Sequence, residues 1–79
     1  MGSYNYNELW KKHNKLKYYR LKNDYTQQYV ADFLKITQQN YQKYESGNLQ
    51  PSIFLVARLS ELFNISIEEL TGYNELKKS

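Results

Sequence analysis

The sequence predicts an all-α fold, and three observations support this prediction. Apolar residues recur every three or four positions, and no segment shows the alternation of a half-buried strand. Residues that begin helices, such as Thr and Ser just before an apolar run, occur at several places along the chain. Glycine or asparagine follows these runs, where helices end in the left-handed conformation. Five helices account for the whole pattern.

The first predicted helix runs from Tyr6 to Lys22 and ends at the turn-forming pair Asn23-Asp24. Leu9, Leu16 and Tyr19 recur on one face of it, and lysines occupy the others. Residues 1–5 are expected to form a flexible N-terminus, and Met1-Gly2-Ser3 resembles a remnant of protein expression.

The second predicted helix begins at Thr26, whose hydroxyl can accept a hydrogen bond from a free N–H of the first turn. Tyr25 before this cap is expected to pack on Val30 as a hydrophobic staple. The inward residues should be Val30, Ala31 and Leu34, and the small Ala31 lets a neighbouring helix approach closely.

The third predicted helix repeats this arrangement. Thr37 is the expected cap, Ile36 and Tyr41 form the staple, and Gly47 ends the helix in a left-handed conformation that suits glycine.

The fourth predicted helix is the most apolar one and opens at Pro51-Ser52. Its apolar residues are Ile53, Val56, Ala57, Leu59, Leu62 and Phe63, and Asn64 can end it. The fifth begins with a capping box from Ser66 to Glu69, has a staple of Ile65 on Leu70, and closes at Gly72. Residues 6–72 are therefore expected to form the domain, and residues 73–79 a tail that packs partly through Tyr73 and Leu76 and then frays.

Size and composition narrow the class of function. A 79-residue domain buries only about 60% of the surface that its unfolded chain exposes, so a large active-site cavity is not expected. The chain has no cysteine, which excludes disulfides and thiolate metal sites. It contains no run of about 18 apolar residues and no signal pattern, so we expect a cytoplasmic protein. We expect no cofactor, metal or membrane partner.

Charge is distributed unevenly along the chain, although the formal net charge is only +3. Residues 11–22 hold six bases and no acid, whereas residues 59–76 hold four acids and no base. A molecule with one basic end and one acidic end can be oriented by a polyanion, but a basic helix face can also be simply solvated.

The third predicted helix carries a polar face without carboxylates. At about 100° per residue, one arc contains Gln38, Gln39, Gln42, Lys43 and Ser46, and the opposite side contains Tyr41 and Tyr44. Glutamine amides suit bidentate pairing with adenine in the major groove of DNA, and the first turn of a recognition helix enters that groove most deeply. The alternative is an ordinary solvated surface, but such surfaces usually mix Glu with Lys. This helix therefore predicts base contacts to double-stranded DNA.

The motifs together resemble the phage-repressor or Cro-like (Xre-type) helix-turn-helix family, from about Leu16 to Gly72. The resemblance rests on Leu16, Arg20, Gln27, Ala31, Thr37-Gln-Gln, Glu45, Gly47, Pro51-Ser52 and Ser66-Ile-Glu-Glu-Leu70. It implies a compact five-helix, lambda-repressor-like domain with the second and third helices as the helix-turn-helix.

The resemblance also implies roles for individual residues. Base contacts would come from Gln38, Gln39 and Lys43, to which the amide face adds Gln42. Phosphate contacts would come from Gln27 at the positive end of its helix, and from Asn40, Ser46 and Asn48. Arg20 and Glu45 would form an ion pair that joins the first helix to the third, and Arg20 could also face a phosphate.

Two features depart from the family pattern. Lys35 stands in the turn where glycine is usual, so either the turn differs or lysine accepts a left-handed conformation at a cost of about 1 kcal/mol or more. Apolar residues occupy positions that are usually polar: Tyr29, Phe33, Phe54 and Leu55. They are either additional core, meeting Trp10, Tyr4 or Tyr6, or a partner surface for a dimer or effector.

Other functions have less support in the sequence. The single histidine, His13, lies on a lysine-rich helix, and no phosphate loop, zinc motif or nucleophile constellation is present, so we expect no enzyme. RNA binding would favour an open aromatic platform over helical amides. A protein-interaction module such as an antitoxin or a regulator subunit, with DNA binding secondary, is the main alternative.

The sequence is therefore interpreted as a DNA-binding transcription regulator of a bacterium or phage, most simply a repressor. We expect it to bind a near-palindromic operator as a homodimer, with half-sites about one helical turn apart.

Overall fold

The structure is a computed structural model that describes residues 5–77, and every described element is a helix. The helices are α1 (Tyr6–His13), α2 (Leu16–Lys22), α3 (Gln27–Leu34), α4 (Gln38–Ser46), α5 (Ile53–Phe63), α6 (Ile67–Thr71) and α7 (Tyr73–Lys77). The all-α prediction is confirmed. Residues 1–4, including Tyr4 and the Met1-Gly2-Ser3 segment, and residues 78–79 lie outside the described part of the chain.

The described residues form seven helices where five were predicted, because the first predicted helix is two helices and the predicted tail contains α7. Asn14 breaks it: its side-chain amide donates to the Trp10 carbonyl, and its side-chain oxygen accepts from the Leu16 N–H at 3.0 Å. The backbone N–H of Lys15, directly after Asn14, donates to the carbonyl of Leu70 at 2.8 Å instead of to a carbonyl of the same helix. An asparagine side chain that bonds to nearby backbone groups competes with the helix, and the hydrogen bond from Lys15 to Leu70 of α6 adds to the break.

The two ends of the domain are more ordered than we expected. Asn5, assigned to the flexible N-terminus, caps α1 by accepting from the Glu8 N–H at 2.8 Å. The predicted tail forms α7, and Lys15 forms an ion pair with Glu75 of this helix at 2.5 Å. The hydrogen bond from Lys15 to Glu75 raises the pKa of this lysine. Residues 73–77 therefore belong to the folded domain.

The predicted helix caps are confirmed. Hydroxyl oxygens of Thr26, Thr37, Ser52 and Ser66 each accept from the N–H three residues later. In a complete capping box the Glu69 carboxylate would accept from the Ser66 N–H. Here it accepts instead from the Tyr19 hydroxyl at 2.8 Å and from the Asn74 side-chain amide at 3.3 Å. This bond to Tyr19 is the main reason that the pKa of Glu69 lies below its ordinary value.

The core lies between all of the first six helices. Its buried members are Trp10, Leu16, Val30, Ala31, Leu34, Tyr41, Val56, Leu59, Phe63 and Leu70. Tyr25 lies against this core, and its ring stacks on Phe63 with centroids 6.2 Å apart. Ile53 is 65% exposed, although the sequence placed it among the apolar residues of its helix. Among residues 5–77, no helix is long and apolar enough to cross a membrane.

The helix α1 packs against two glycines that end other helices. A Cβ at position 47 would lie 2.8 Å from the Lys11 carbonyl oxygen, and one at position 72 would lie 2.2 Å from that of His13. Both glycines also have positive φ angles, 86° and 88°. Gly47 and Gly72 are therefore required both by the conformation of the helix ends and by the close approach of α1.

Candidate nucleic-acid interface

A tight turn joins α3 to α4 and sets the angle between them. Lys35 adopts a left-handed conformation with φ 60°, and the next N–H, of Ile36, donates to the carbonyl of Ala31 at 3.0 Å. This is the hydrogen-bond pattern by which glycine usually ends a helix. Of the two possibilities for this turn, lysine in the left-handed conformation is the correct one. The two helices pack against each other, and Val30 and Ala31 of α3 and Tyr41 of α4 are buried in the core.

The outward side of α4 is polar and exposed. Gln38, Gln39, Gln42, Lys43 and Ser46 are all exposed, whereas Tyr41 is fully buried and Tyr44 is half-buried. An open depression runs along this side and continues past the end of the helix, lined by Gln39, Gln42, Lys43, Ser46 and Asn48. Of the predicted base contacts, the depression brings together Gln39, Gln42 and Lys43, whereas Gln38 is exposed beside it and hydrogen-bonded to Gln27.

The one carboxylate of α4 is turned inward. Glu45 has a side chain only 5% exposed, and its Oε2 lies 2.5 Å from Nε of Arg20, whose side chain is 10% exposed. Arg20 also donates from the terminal nitrogens of its guanidinium to Glu45 Oε1 at 3.3 Å and to the Tyr25 carbonyl at 2.9 Å. The predicted ion pair is confirmed. Because all three guanidinium nitrogens have partners inside the protein, the geometry favours a structural role for Arg20 over a phosphate contact.

Glu45 is the centre of a larger buried network. The Tyr41 hydroxyl donates to its Oε2 at 2.6 Å, and the Gln27 amide donates to its Oε1 at 3.1 Å. Burial raises the pKa of the Glu45 carboxyl, but the hydrogen bonds from Arg20, Tyr41 and Gln27 outweigh burial and hold the pKa below its ordinary value. Burial raises the pKa of the Tyr41 hydroxyl, so this group stays a donor. The carboxylate therefore remains ionised and paired inside the domain.

Gln27 connects this network to the exposed face. It lies in the first turn of α3, is half-buried, and its Oε1 accepts from Nε2 of Gln38 at 3.4 Å. One hydrogen of its Nε2 is used by Glu45, which leaves the second for an outside acceptor beside the helix N-terminus. The sequence marked Gln27 for a phosphate but gave no sign of its bonds to Glu45 and Gln38.

Three further predicted phosphate contacts lie at the two ends of α4. Asn40 is exposed in the first turn, where its N–H donates to Thr37. Ser46 and Asn48 are exposed on either side of Gly47, and the Asn48 N–H donates to the Ser46 hydroxyl oxygen at 3.4 Å. These side chains flank the face that carries the glutamines.

The apolar positions of the predicted partner surface have different environments. Tyr29 is 51% exposed and Phe54 67% exposed, whereas Phe33 and Leu55 are half-buried against the core. The guanidinium of Arg58 lies 4.8 Å from the centre of the Phe33 ring and donates to the Phe33 carbonyl at 3.0 Å. Phe33 and Leu55 are thus partly core. Phe54 is exposed surface, and the half-exposed ring of Tyr29 lies 4.6 Å from the ring of Tyr25. The role of Arg58 in joining α5 to α3 was missed; its one signal in the sequence was an arginine within an apolar helix.

Comparison with known proteins gives the family. The helix-turn-helix family model matches residues 16–70, which is more than half of the chain. The HTH-type transcriptional regulator AnsR of Bacillus subtilis is 38% identical over 60 residues, which cover 76% of this chain and 52% of that protein. The SPbeta prophage-derived HTH-type regulator YonR of the same organism is 41% identical over 56 residues, covering 71% of this chain and 52% of that protein.

A third relative has nearly the same length as the matched region. An HTH-type transcriptional regulator of Methanocaldococcus jannaschii is 34% identical over 62 residues, which cover 78% of this chain and 94% of that protein. The chain spans about half the length of the two Bacillus relatives. No solved structure is significantly similar to it. From the matched region and these relatives, which are named HTH-type transcriptional regulators, the chain belongs to the helix-turn-helix family.

Proposed function

We propose that this chain binds double-stranded DNA sequence-specifically and inserts the exposed face of α4 into the major groove. One observation carries the proposal: the outward face of α4 consists of amides, a hydroxyl and an amine, and the carboxylate of this helix is buried in an ion pair. An exposed carboxylate there would repel phosphates. Neutral amides can instead exchange donor and acceptor pairs with base edges.

Base contacts are assigned to four side chains of this face. Gln38 and Gln39 lie in the first turn, which enters the groove most deeply. Gln42 lies one turn later on the same side, and Lys43 can donate to guanine acceptors. Each good bidentate contact supplies about 1–3 kcal/mol of discrimination between bases.

Phosphate contacts are assigned to the two flanks of this face. Gln27 would bind a phosphate with its free amide hydrogen, assisted by the N-terminus of α3. Asn40, Ser46 and Asn48 would bind the backbone at either end of α4. Such contacts fix the register of the protein on the duplex and carry no sequence information.

The regulator is proposed to act as a repressor that occupies a promoter as a homodimer. Two copies related by a twofold axis would place two α4 helices about one helical turn of DNA apart, on a near-palindromic operator. The exposed rings of Tyr29 and Phe54 supply apolar surface for contact between copies.

Selection of bound duplexes from a random library tests this function. We expect an enriched half-site, bound at least about a thousandfold more tightly than random duplex, with an affinity that falls steeply as salt rises. Failure to enrich any sequence would overturn the proposal.

A protein-interaction module is the second candidate, and the exposed apolar residues favour it. Ile53 and Phe54 open α5 and are 65% and 67% exposed, which is unusual for neighbouring large apolar side chains. In an antitoxin or a regulator subunit this surface would hold a different protein. Binding of the chain to DNA without any base preference would favour this candidate.

A further inference from the structure

One flank of α1 lies beside the end of α4. Trp10 donates its indole N–H to the Tyr44 carbonyl at 2.8 Å, and Tyr6 donates its hydroxyl to the Pro51 carbonyl at 2.7 Å. The Lys11 backbone comes so close to Gly47 that no Cβ fits between them. These contacts hold α1 against the C-terminus of α4 and the loop that follows it.

The flank that borders α4 carries Asn7 and Lys11. These residues are four positions apart, so they lie on the same side of the helix. Asn7 follows Tyr6, which contacts the loop after α4, and Lys11 follows Trp10, which contacts the end of α4. Glu8 and Lys12 form an ion pair with each other at 3.3 Å on the adjoining, outer side. Lys11 is exposed. Because its backbone borders Gly47, Lys11 is the lysine of α1 next to the end of α4, whereas Lys12 is paired with Glu8.

Lys11 is next to the proposed phosphate contacts. Gly47, which its backbone touches, separates Ser46 from Asn48, and these two residues line the depression together with Lys43. Lysine carries its charge on a flexible four-carbon stem. Lys11 is consequently within one side-chain length of the place where the DNA backbone would pass the end of α4.

We propose that Lys11 binds a DNA phosphate beside the C-terminus of α4, so that α1 extends the DNA-binding surface beyond the helix-turn-helix. The inference rests on the proposed DNA-binding function and concerns a helix outside the residues 16–70 that the family model matches. Asn7 adds a neutral amide on the same flank, one turn earlier. Because phosphate contacts carry no sequence information, Lys11 contributes to affinity for every duplex alike.

The test compares Lys11→Gln with Lys12→Gln in the 79-residue chain. Affinity is measured by fluorescence anisotropy for the selected operator and for random duplex, at salt from about 50 to 200 mM. Lys11→Gln is expected to reduce the slope of log affinity against log salt by about 0.9 for each bound chain, for both duplexes. Lys12→Gln removes the same charge from the same helix and is expected to change the slope much less. Lys11→Arg is expected to keep the wild-type slope.

The outcomes separate the inference from the function on which it rests. Equal slopes for Lys11→Gln and Lys12→Gln would overturn the phosphate contact while operator binding by the wild type stands. If Lys11→Gln reduced affinity for the selected operator alone, that result would also overturn the phosphate contact, because it would indicate a displaced α4. If the wild type prefers no duplex, the proposed function fails and the inference fails with it. Equal melting temperatures of the two glutamine variants exclude a difference in folding.

Discussion

Gln38 donates a hydrogen bond from Nε2 to Oε1 of Gln27 at 3.4 Å, across the turn between α3 and α4. Gln27 also donates to buried Glu45, which is paired with Arg20. A continuous set of side chains therefore runs from an ion pair in the interior to the first amide of the exposed face. The position of Gln38 is restrained by the same network that joins α2 to α4.

The first prediction separates base contacts from phosphate contacts. Gln39→Ala should relax base preference at one position of the half-site, with a loss of about 1–3 kcal/mol of discrimination and little change in the salt dependence. Gln27→Ala should instead weaken binding to both the operator and random duplex, with a further loss on the operator because Gln38 loses a hydrogen-bond partner. Selection of duplexes with each variant measures both effects. An unchanged consensus for Gln39→Ala would contradict its assignment.

The second prediction concerns the buried ion pair. Glu45→Ala leaves the Arg20 charge buried without its partner and removes the acceptor of Tyr41 and Gln27, so it should destabilise the domain by about 3–5 kcal/mol. The double variant Arg20→Met with Glu45→Leu removes both charges and should cost much less. Urea unfolding gives both free energies. A double variant no more stable than Glu45→Ala would show that the cost does not arise from the unpaired charge.

The third prediction is loss of stability in acid. The hydrogen bond from Tyr19 lowers the pKa of Glu69 in the folded state. Burial raises the pKa of Glu45, but its hydrogen bonds outweigh burial, so this pKa is also lowered. The unfolded chain then binds more protons, so stability is present above the ordinary carboxyl pKa and declines as pH falls through the folded value. The urea midpoint of unfolding should therefore decrease as the pH is lowered from about 6 to about 3.

Glu69→Gln provides the control for the acid prediction. The amide oxygen can still accept from Tyr19, but this residue no longer titrates. The variant should therefore lose less stability than the wild type over the same pH range. An identical loss of stability in both proteins would show that Glu69 does not contribute to the pH dependence.

The fourth prediction concerns the turn of the helix-turn-helix. Lys35→Gly should raise the melting temperature, because lysine at φ 60° carries a strain of about 1 kcal/mol that glycine avoids. Asn64→Gly is the matched control, since Asn64 has φ 57° and asparagine tolerates this conformation. The increase in melting temperature for Asn64→Gly should be smaller than that for Lys35→Gly. A melting temperature lowered by Lys35→Gly would refute the assignment of strain.

The fifth prediction concerns self-association. Phe54→Ser should shift the chain toward monomer in light scattering, because Phe54 is 67% exposed and its loss leaves the core intact. Phe33→Ser should reduce both association and stability, since Phe33 also packs on Arg58. An unchanged mass for Phe54→Ser would count against this surface as the contact between copies.

The sequence predicted those parts of the fold that depend on local signals. Thr26, Thr37 and Ser66 showed where helices begin, and Gly47 and Gly72 showed where they end, because caps act within a few residues. The break at Asn14 was missed, since it depends on a hydrogen bond from Lys15 to Leu70, far along the chain. The order of residues 73–77 depends on distant partners in the same way.

The candidate site was predictable in part for the same reason. Helical periodicity was enough to place Gln38, Gln39 and Lys43 on one exposed side of α4. The bonds of Gln27 and the stacking of Arg58 on Phe33 depend on the angle between helices, which periodicity does not provide. The contact of α1 with Gly47 likewise follows from tertiary packing alone.

The indole at the junction of α1 and α4 has a practical consequence. Trp10 is the one tryptophan of the chain, and it is fully buried where it donates to Tyr44. Its emission therefore reports the local environment of this junction without an added label. Detachment of α1 would expose the indole to water and shift its emission to longer wavelength, which makes the position of the N-terminal helix directly observable during titration with DNA.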